Sequence, residues 1–501
     1  MPFCPRVSLF LLLLVSGVIP GFLSSVMAQQ AARPNIILVL VDDMGWSDPG
    51  CYGGEIETPN LDLLAAEGLR FSQFYNCAKC ETTRATLLSG RYHAEVGVAK
   101  LQRCATLAEV LAEAGYQTWM TGKWHLSGNP LDRGFGRYFG HLSGATNFFT
   151  GDGTFRIDRE VFEVPEQGFY TTDANTDYAI QFIRERDRER PFFLYVAHNA
   201  PHYPLQAPKE EVMKYRGTYK EGWDRLRAQR LGRIRDMGLL PETAELSARP
   251  EDVSDWHELS EKERDQHDLV MATYAAMIDR VDTNMGRLVQ CLQDEKEYER
   301  TLILFLSDNG ACPFQRTTPQ TLEGPLMPWD PESYWTYDQR WAHACNTPFR
   351  AYKRNQHEGG IRTPMIAHWP QGLANPGTIT HQPGHIVDMM ATFIELGAAR
   401  YPPVDAPGEP GPLRGSSLVP IFRGEERVDV GARFFTFYGT HNAVRVGDLK
   451  LVNRDKGPWE LYDLARDPVE ASNLIERQSQ RAKPLIEQWE AWARTVKVKR
   501  K

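Results

Sequence analysis

The feature that most constrains this chain is a set of short apolar runs, each followed at once by a polar cluster. Residues 35–41 read Asn-Ile-Ile-Leu-Val-Leu-Val, and Asp42 and Asp43 come next. A continuous apolar run of this length, rich in β-branched side chains, marks a strand buried on both faces. Such strands occur mainly in parallel sheets covered by helices. The pattern recurs along the chain. Phe192 to Val196 precedes His198 to His202, Leu302 to Leu306 precedes Asp308-Asn309-Gly310, and Tyr116 to Met120 precedes Lys123 and His125. Pro364 to His368 is a further short strand. Helical patterns lie between these runs. Asn60 to Leu69 carries Asn60 as a predicted N-cap, residues 107–115 end on a glycine stop, and Leu269 to Cys291 places Met271, Tyr274, Ile278, Val281, Met285 and Leu288 at helical spacing. The alternation predicts an α/β fold with a large, mostly parallel sheet and helices on both faces. In such sheets ligands bind outside the carboxyl ends of the strands, so polar clusters far apart in sequence converge there.

The remainder of the chain follows other patterns. Residues 209–263 are rich in charge with little strand pattern, and predict a helical and loop insertion over the surface. Residues 313–347 form a long irregular stretch of the kind that faces substrates. Residues 402–414, rich in Pro and Gly, read as a connector. Beyond residue 432 come four short runs, Phe434–Tyr438, Ala443–Val446, Leu449–Val452 and Glu460–Tyr462, with turns between them and a closing helix over 484–496. These predict a small C-terminal α+β domain with an antiparallel sheet.

Targeting and partners can also be read. Arg6, the apolar run Val7 to Ile19 and the small-residue site Val26-Met27-Ala28 predict a secretory signal cut after Ala28. The run is short for a membrane span, and no later segment is long and apolar enough to be one. The mature chain is expected to be exported, periplasmic or extracellular, with no membrane span. A net charge of -8 and a basic run confined to residues 497–501 argue against a nucleic-acid partner. Of the eight cysteines, Cys4 falls in the signal. The odd number left in an oxidising compartment flags one special thiol, the others being free to pair.

Two groups of residues suggest chemistry. Cys77 and Cys80 form a Cys-x-x-Cys pair, which suits a redox motif, half a zinc site or two ordinary cysteines. Cys80 opens a helix-like run that closes at Gly90, so it gains the positive end of the dipole and free backbone N–H groups. Arg84 adds a fixed charge one turn on, and the whole suits an anion. Asp42, Asp43, Asp308 and Asn309 offer oxygen ligands. Each pair alone also suits a turn, but together they favour a hard divalent cation over zinc.

On these residues the chain resembles the type I sulfatases of the arylsulfatase group, within the alkaline-phosphatase-like superfamily. The resemblance rests on Pro34 to Gly45, Cys80 to Arg91, Thr121 to His125, Asn199 to Leu205, Leu306 to Gly310, Glu358 to Pro364, and Trp459 to Leu464 followed by Asp467-Pro468. It implies that a maturation enzyme oxidises Cys80 to formylglycine, whose hydrate attacks sulfur. It implies Asp42, Asp43, Asp308 and Asn309, with residue 80, as ligands of Ca²⁺ (Mg²⁺ less favoured). Arg84 then supports the hydrated aldehyde, Lys123 and Lys353 hold sulfate oxygens, His125 is the base, and His202 protonates the leaving oxygen. The implied substrate is a sulfated small molecule or glycan. The implied organisation is a signal at 1–28, a catalytic domain at 29–425 and a small domain at 426–501. One position departs from the family's Cys-x-Pro-Ser/Thr-Arg, or Ala for Pro: here it is Thr82. The alternatives are a phosphoester or phosphonate hydrolase using Thr82 or Thr83, a sulfated-glycan-binding protein with unconverted Cys80, and a thiol redox protein.

Overall fold

The computed structural model describes residues 1–2, 33–317, 321, 324–404, 410–427 and 434–496. The predicted signal segment from residue 3, with Cys4, and the basic run 497–501 lie outside the described residues.

The strands of the main sheet are β1 (Asn35–Val41), β2 (Leu69–Tyr75), β3 (Gln117–Gly122), β4 (Arg137–His141), β5 (Phe155–Ile157), β6 (Glu160–Val161), β7 (Phe192–Ala197), β8 (Thr301–Ser307), β9 (Arg362–His368), β10 (Thr378–Thr380) and β11 (Gly384–His385). They run in the order β10-β2-β9-β8-β1-β7-β3-β4-β5-β6, with β11 also beside β2. The central pairings β8–β1, β1–β7, β7–β3 and β3–β4 are parallel. β9, β5 and β6 pair antiparallel towards the edges. Every residue of β1, β7, β8 and β9 is buried, as the apolar runs predict. Ile37, Val39 and Val41 enter one core while Ile36, Leu38 and Leu40 enter the other. Burying each such side chain contributes roughly 1.5–3 kcal/mol. The two cores are the physical reason for helices on both faces.

Register sets the site. Val41 pairs with Ser307, Leu40 with Ala197, and Gly122 with Ala197. The four central strands therefore end at one level, where Asp42, Asp308, Lys123 and His198 begin the loops. Backbone bonds continue past the ends: Asp308 N donates to Val41 O (3.0 Å), Asp42 N to Ala200 O (3.0 Å) and Lys123 N to Ala197 O (2.8 Å). A Cβ on Gly122 would stand 2.0 Å from Ala197 O, so this close approach requires glycine.

Several local expectations are corrected. Asn60 does not cap its helix, which is Pro59–Ala66 with Pro59 at its first position. The Asn60 amide instead donates to Asp282 Oδ2 at 2.8 Å. The helix expected from Leu269 begins at Glu261 and runs 34 residues to Asp294, opened by a reciprocal Ser260–Glu263 capping box. Its first turns are polar, so apolar spacing alone starts it late. The 209–263 segment is not a surface layer. Its helices Lys209–Tyr215 and Gly222–Asp236 send Val212, Trp223 and Ile234 into the main core, and Arg230 is fully buried. Helix Gln339–Cys345 lies within the stretch read as irregular, because its seven residues are too few to show a period. The seven described cysteines are all free thiols.

At the C-terminus, β12 (Phe434–Tyr438), β13 (His441–Val446), β14 (Leu449–Asn453) and β15 (Glu460–Asp463) form an antiparallel four-stranded sheet in sequence order. Helix Ser479–Thr495 packs on it through Leu485, Trp489 and Trp492, starting before the expected Pro484.

Candidate active site

The ten residues singled out in sequence lie together at the carboxyl ends of the central strands. Asp42 and Asp43 leave β1, Lys123 and His125 leave β3, His202 follows β7, and Asp308 and Asn309 leave β8. Helix Cys80–Ser89 brings Cys80 and Arg84 over these ends. Lys353 arrives on the loop before β9. That loop packs so tightly that a Cβ on Gly310 would stand 1.9 Å from Gly359 O. Five non-glycine residues around the site have left-handed backbone: Asp43 (φ 70°), Ala78 (φ 59°), His125 (φ 54°), Ala351 (φ 66°) and Arg354 (φ 74°). Such conformations persist only where the surroundings hold them, and they cluster at functional sites.

The charges are dense and fully buried. Lys123 Nζ pairs with Asp42 Oδ2, and Lys353 Nζ with Asp43 Oδ1 at 2.5 Å. Arg84 Nη2 donates to Asp308 Oδ2 at 3.0 Å and lies 3.8 Å from Asp42 Oδ2, while Nη1 donates to the Lys123 carbonyl at 2.9 Å. Asn309 Nδ2 donates to Asp43 Oδ1 at 2.6 Å. Three acceptors nevertheless have no hydrogen-bond partner: Asp42 Oδ1, Asp43 Oδ2 and Asn309 Oδ1. Buried oxygens without donors are costly, and three from one cluster fit the ligand set of a hard divalent cation. The donor atoms of Asp42, Cys80 and Asp308 lie within 4.8 Å of one another, as do those of Asp42, Asp43 and His202. Burial and the neighbouring Asp42 carboxylate push Asp308 up to about 7, against Arg84 and Lys123. Burial also opposes the charge on Asp42, but Lys123, His202 and Arg84 outweigh it and hold that carboxyl well below the usual range.

The two histidines are neutral at pH 7 in the free protein. Burial lowers His202 to about 4, with Asp42 and Asp43 acting the other way. Its Nδ1 lies 2.7 Å from the Tyr203 carbonyl and so carries the proton, leaving Nε2 3.5 Å from Asp43 Oδ2. Burial together with Lys123 and Arg84 lowers His125 to about 2.

Cys80 is the first residue of its helix and is buried. Burial pushes its thiol up to about 11, with Lys123 and Lys353 offsetting part of the effect. Cys77 is pushed by burial to about 12. At neutral pH neither is a thiolate, which removes the nucleophile that thiol redox chemistry needs. Both candidate threonine nucleophiles are committed to backbone. Thr82 Oγ1 donates to the carbonyls of Cys77 and Lys79 (both 2.8 Å), and Thr83 Oγ1 donates to Asp308 O at 2.6 Å while accepting from Cys77 N. Thr82 is the third helical residue, in the first turn, where proline costs no helical bond. Threonine there instead shares its one hydroxyl proton between two carbonyls of the preceding turn.

Sequence reasoning missed two contributors. The Cys80 thiol donates to Glu81 Oε2 at 3.4 Å, and the donor atoms of Cys80, Glu81 and His125 lie within 4.8 Å of one another. Glu81 could have been suspected as the acid of the helix's first turn. Tyr195 left no local signal: it sits in an apolar run, yet its hydroxyl accepts from Arg84 Nη1 at 3.4 Å.

Comparison with known proteins gives the same direction. The sulfatase family model matches residues 34–398, and the model for the C-terminal part of N-sulphoglucosamine sulphohydrolase matches residues 350–494. An uncharacterized sulfatase of Schizosaccharomyces pombe is 32% identical across 92% of this chain and 93% of its own length. The arylsulfatase of Klebsiella aerogenes is 32% identical across 74% of this chain and 88% of its own. Among solved structures, Ps i-CgsB in complex with k-i-k-neocarrahexaose superposes with a TM-score of 0.69 at 25% identity, covering 92% of this chain and 93% of that one. Strand-end acids, a buried cysteine at a helix start and these matches lead to one conclusion: the chain belongs to the sulfatase family of sulfuric ester hydrolases.

Proposed function

We propose that the protein is an exported, formylglycine-dependent sulfatase that hydrolyses sulfate monoesters of a carbohydrate or aryl substrate. In this reading residues 29–425 carry catalysis and residues 426–501 form a small second domain. The observation that carries it is the set of unpartnered oxygens on Asp42, Asp43 and Asn309 beneath a buried Cys80. Asp42, Asp43, Asp308, Asn309 and the residue-80 side chain would hold Ca²⁺, which supplies positive charge to neutralise a sulfate ester. Oxidation of Cys80 by a maturation enzyme would supply an aldehyde, whose hydrate offers a hydroxyl nucleophile in place of a thiol that burial keeps protonated at neutral pH.

The remaining groups bind and move protons. Lys123, paired with Asp42, and Lys353, paired with Asp43, bind the sulfate oxygens. Arg84 fixes Asp308 and the Lys123 backbone, so the charges face the ester without reorganising. His125, neutral and beside Cys80, accepts a proton there. His202, with its Nδ1 proton tied to Tyr203 O, carries a second proton at Nε2 to the leaving oxygen. A bound anion raises the affinity of His202 for that proton.

A glycan substrate is supported by the Ps i-CgsB complex, whose ligand is an oligosaccharide. Among the described residues no helix is long and apolar enough to cross a membrane. The test is turnover of 4-nitrophenyl sulfate against 4-nitrophenyl phosphate by protein co-expressed with a maturation enzyme, before and after chelation. Sulfate turnover that is lost with EDTA and restored by Ca²⁺ supports the reading. Preferential phosphate turnover contradicts it.

A further inference from the structure

Next to Lys353 stands a cation that no described residue pairs with. Arg354 follows Lys353 and donates its N–H to the carbonyl of Ala78, two residues before Cys80, at 2.7 Å. Its guanidinium lies 4.2 Å from the centroid of the Phe314 ring and 5.5 Å from that of Tyr438. Its buried Nε has no hydrogen-bond partner, and the side chain makes no ion pair among the described residues. The three side chains come from three places: the loop after β8, the loop before β9 and the end of β12. Lys79, next to Cys80, lies with Nζ 5.0 Å from the same Tyr438 ring. A guanidinium flanked by two rings keeps its edge for a partner, and that edge matches a carboxylate or sulfate in two parallel hydrogen bonds. The left-handed backbone of Arg354 (φ 74°) shows that the loop holds it there against local preference.

We propose that Arg354, held against Phe314 and Tyr438, is a second anion subsite that binds a further sulfate or carboxylate on the same molecule as the reacting ester. The substrate class is then a sulfated glycan with at least two anionic groups. This rests on the sulfatase reading and narrows its substrate. Arg316 supplies a contrast. It stacks on Tyr203, beside His202, at 4.6 Å, but is exposed, so it adds to the local field without a walled site.

The test compares kcat/KM for 4-nitrophenyl sulfate with that for glycosaminoglycan-derived disaccharides carrying one sulfate, two sulfates, or a sulfate and a uronate. Arg354→Gln is expected to lower kcat/KM for the two-anion disaccharides by about ten- to hundredfold, chiefly through KM, and to affect 4-nitrophenyl sulfate less than about threefold. Arg354→Lys recovers part of the loss, because it restores charge without the two-pronged geometry. Arg316→Gln lowers all charged substrates by a small, even factor. For disaccharides that are not turned over, the same comparison is made as inhibition of 4-nitrophenyl sulfate hydrolysis, with a tenfold weaker inhibition constant expected in Arg354→Gln. The response of the disulfated and the uronate arms separates sulfate from carboxylate as the second anion. An equal fall on one-anion and two-anion ligands, or unchanged inhibition constants, overturns the subsite. Absence of 4-nitrophenyl sulfate turnover in matured wild-type protein overturns the sulfatase reading instead.

Discussion

Two of the buried charge clusters in this molecule differ in whether they close. The cluster at the strand ends holds Asp42, Asp43 and Asp308 against Arg84, Lys123 and Lys353, and leaves three oxygens without donors. The second cluster joins the main sheet to the C-terminal one. Lys450 Nζ lies 2.8 Å from both Glu358 Oε1 and Glu470 Oε1, and Glu470 Oε2 accepts the Glu358 N–H at 2.7 Å. Glu358 Oε2 accepts from Tyr75 OH at 2.9 Å and lies 3.4 Å from Arg362, while Arg445 donates to the Tyr75 hydroxyl at 2.5 Å. Each carboxylate there is answered by a cation or a donor, and the one oxygen without a hydrogen bond, Glu470 Oε1, still lies against the Lys450 ammonium. A buried cluster that closes on itself works as a strut. One that leaves acceptors open is built around something the chain does not supply. The two are near in sequence, since Glu358 opens the short helix Glu358–Ile361 five residues after Lys353.

The comparison can be broken at four points. Cys80→Ala should have the largest effect, lowering kcat for a sulfate ester by at least about 10³-fold, as loss of a nucleophile does, with little change in melting temperature. Steady-state assay and calorimetry on one preparation check both halves. Chelation comes next. EDTA should abolish most turnover, and Ca²⁺ at about 100 times its Kd should return about 2.7 kcal/mol of stability by occupying the open cluster. A Ca²⁺ titration that leaves the melting temperature unmoved would remove the cation from the account.

Breaking the closed cluster should cost stability first. Lys450→Met leaves Glu358 and Glu470 facing each other in a dry site, and about 3–5 kcal/mol should be lost in urea unfolding. Adding Glu470→Gln should recover part of it. The smallest effect is on acid stability. Burial holds His93, packed against Phe437 of β12, down to about 4, so the unfolded chain takes up its proton first as pH falls. His93 therefore costs nothing above about pH 6.5, and its contribution is lost as pH falls from 6.5 towards 4, by about 3 kcal/mol in all. His93→Phe should flatten the unfolding free energy over that window, measured by denaturant titration at several pH values.

The open cluster was legible in sequence and the closed one was not. Asp42-Asp43 and Asp308-Asn309 each end an apolar run that only a doubly buried strand produces, so the parallel sheet and its polar edge could be read together. Register then does the rest, because Val41 and Ser307 pair and their successors must meet. Lys450, Glu358 and Glu470 carry no such signal. Each reads as a solvated charge, and only the docking of the small sheet buries them. Arg354 is hidden for the same reason, since Phe314 and Tyr438 come to it from distant segments. Asn60 misled as a cap because its partner Asp282 is 222 residues away. Thr82 was legible as a departure, but the sharing of its hydroxyl proton with the preceding turn was not.

The central claim is that Cys80 is the precursor of the nucleophile, and the mass of its peptide tests it most directly. The peptide should be isolated from protein made beside a maturation enzyme and shown to hydrolyse a sulfate ester. The account predicts a mass about 18 Da below the thiol form, the change that oxidation of a thiol to an aldehyde requires. A wholly unmodified Cys80 in protein that still turns over sulfate esters would contradict it.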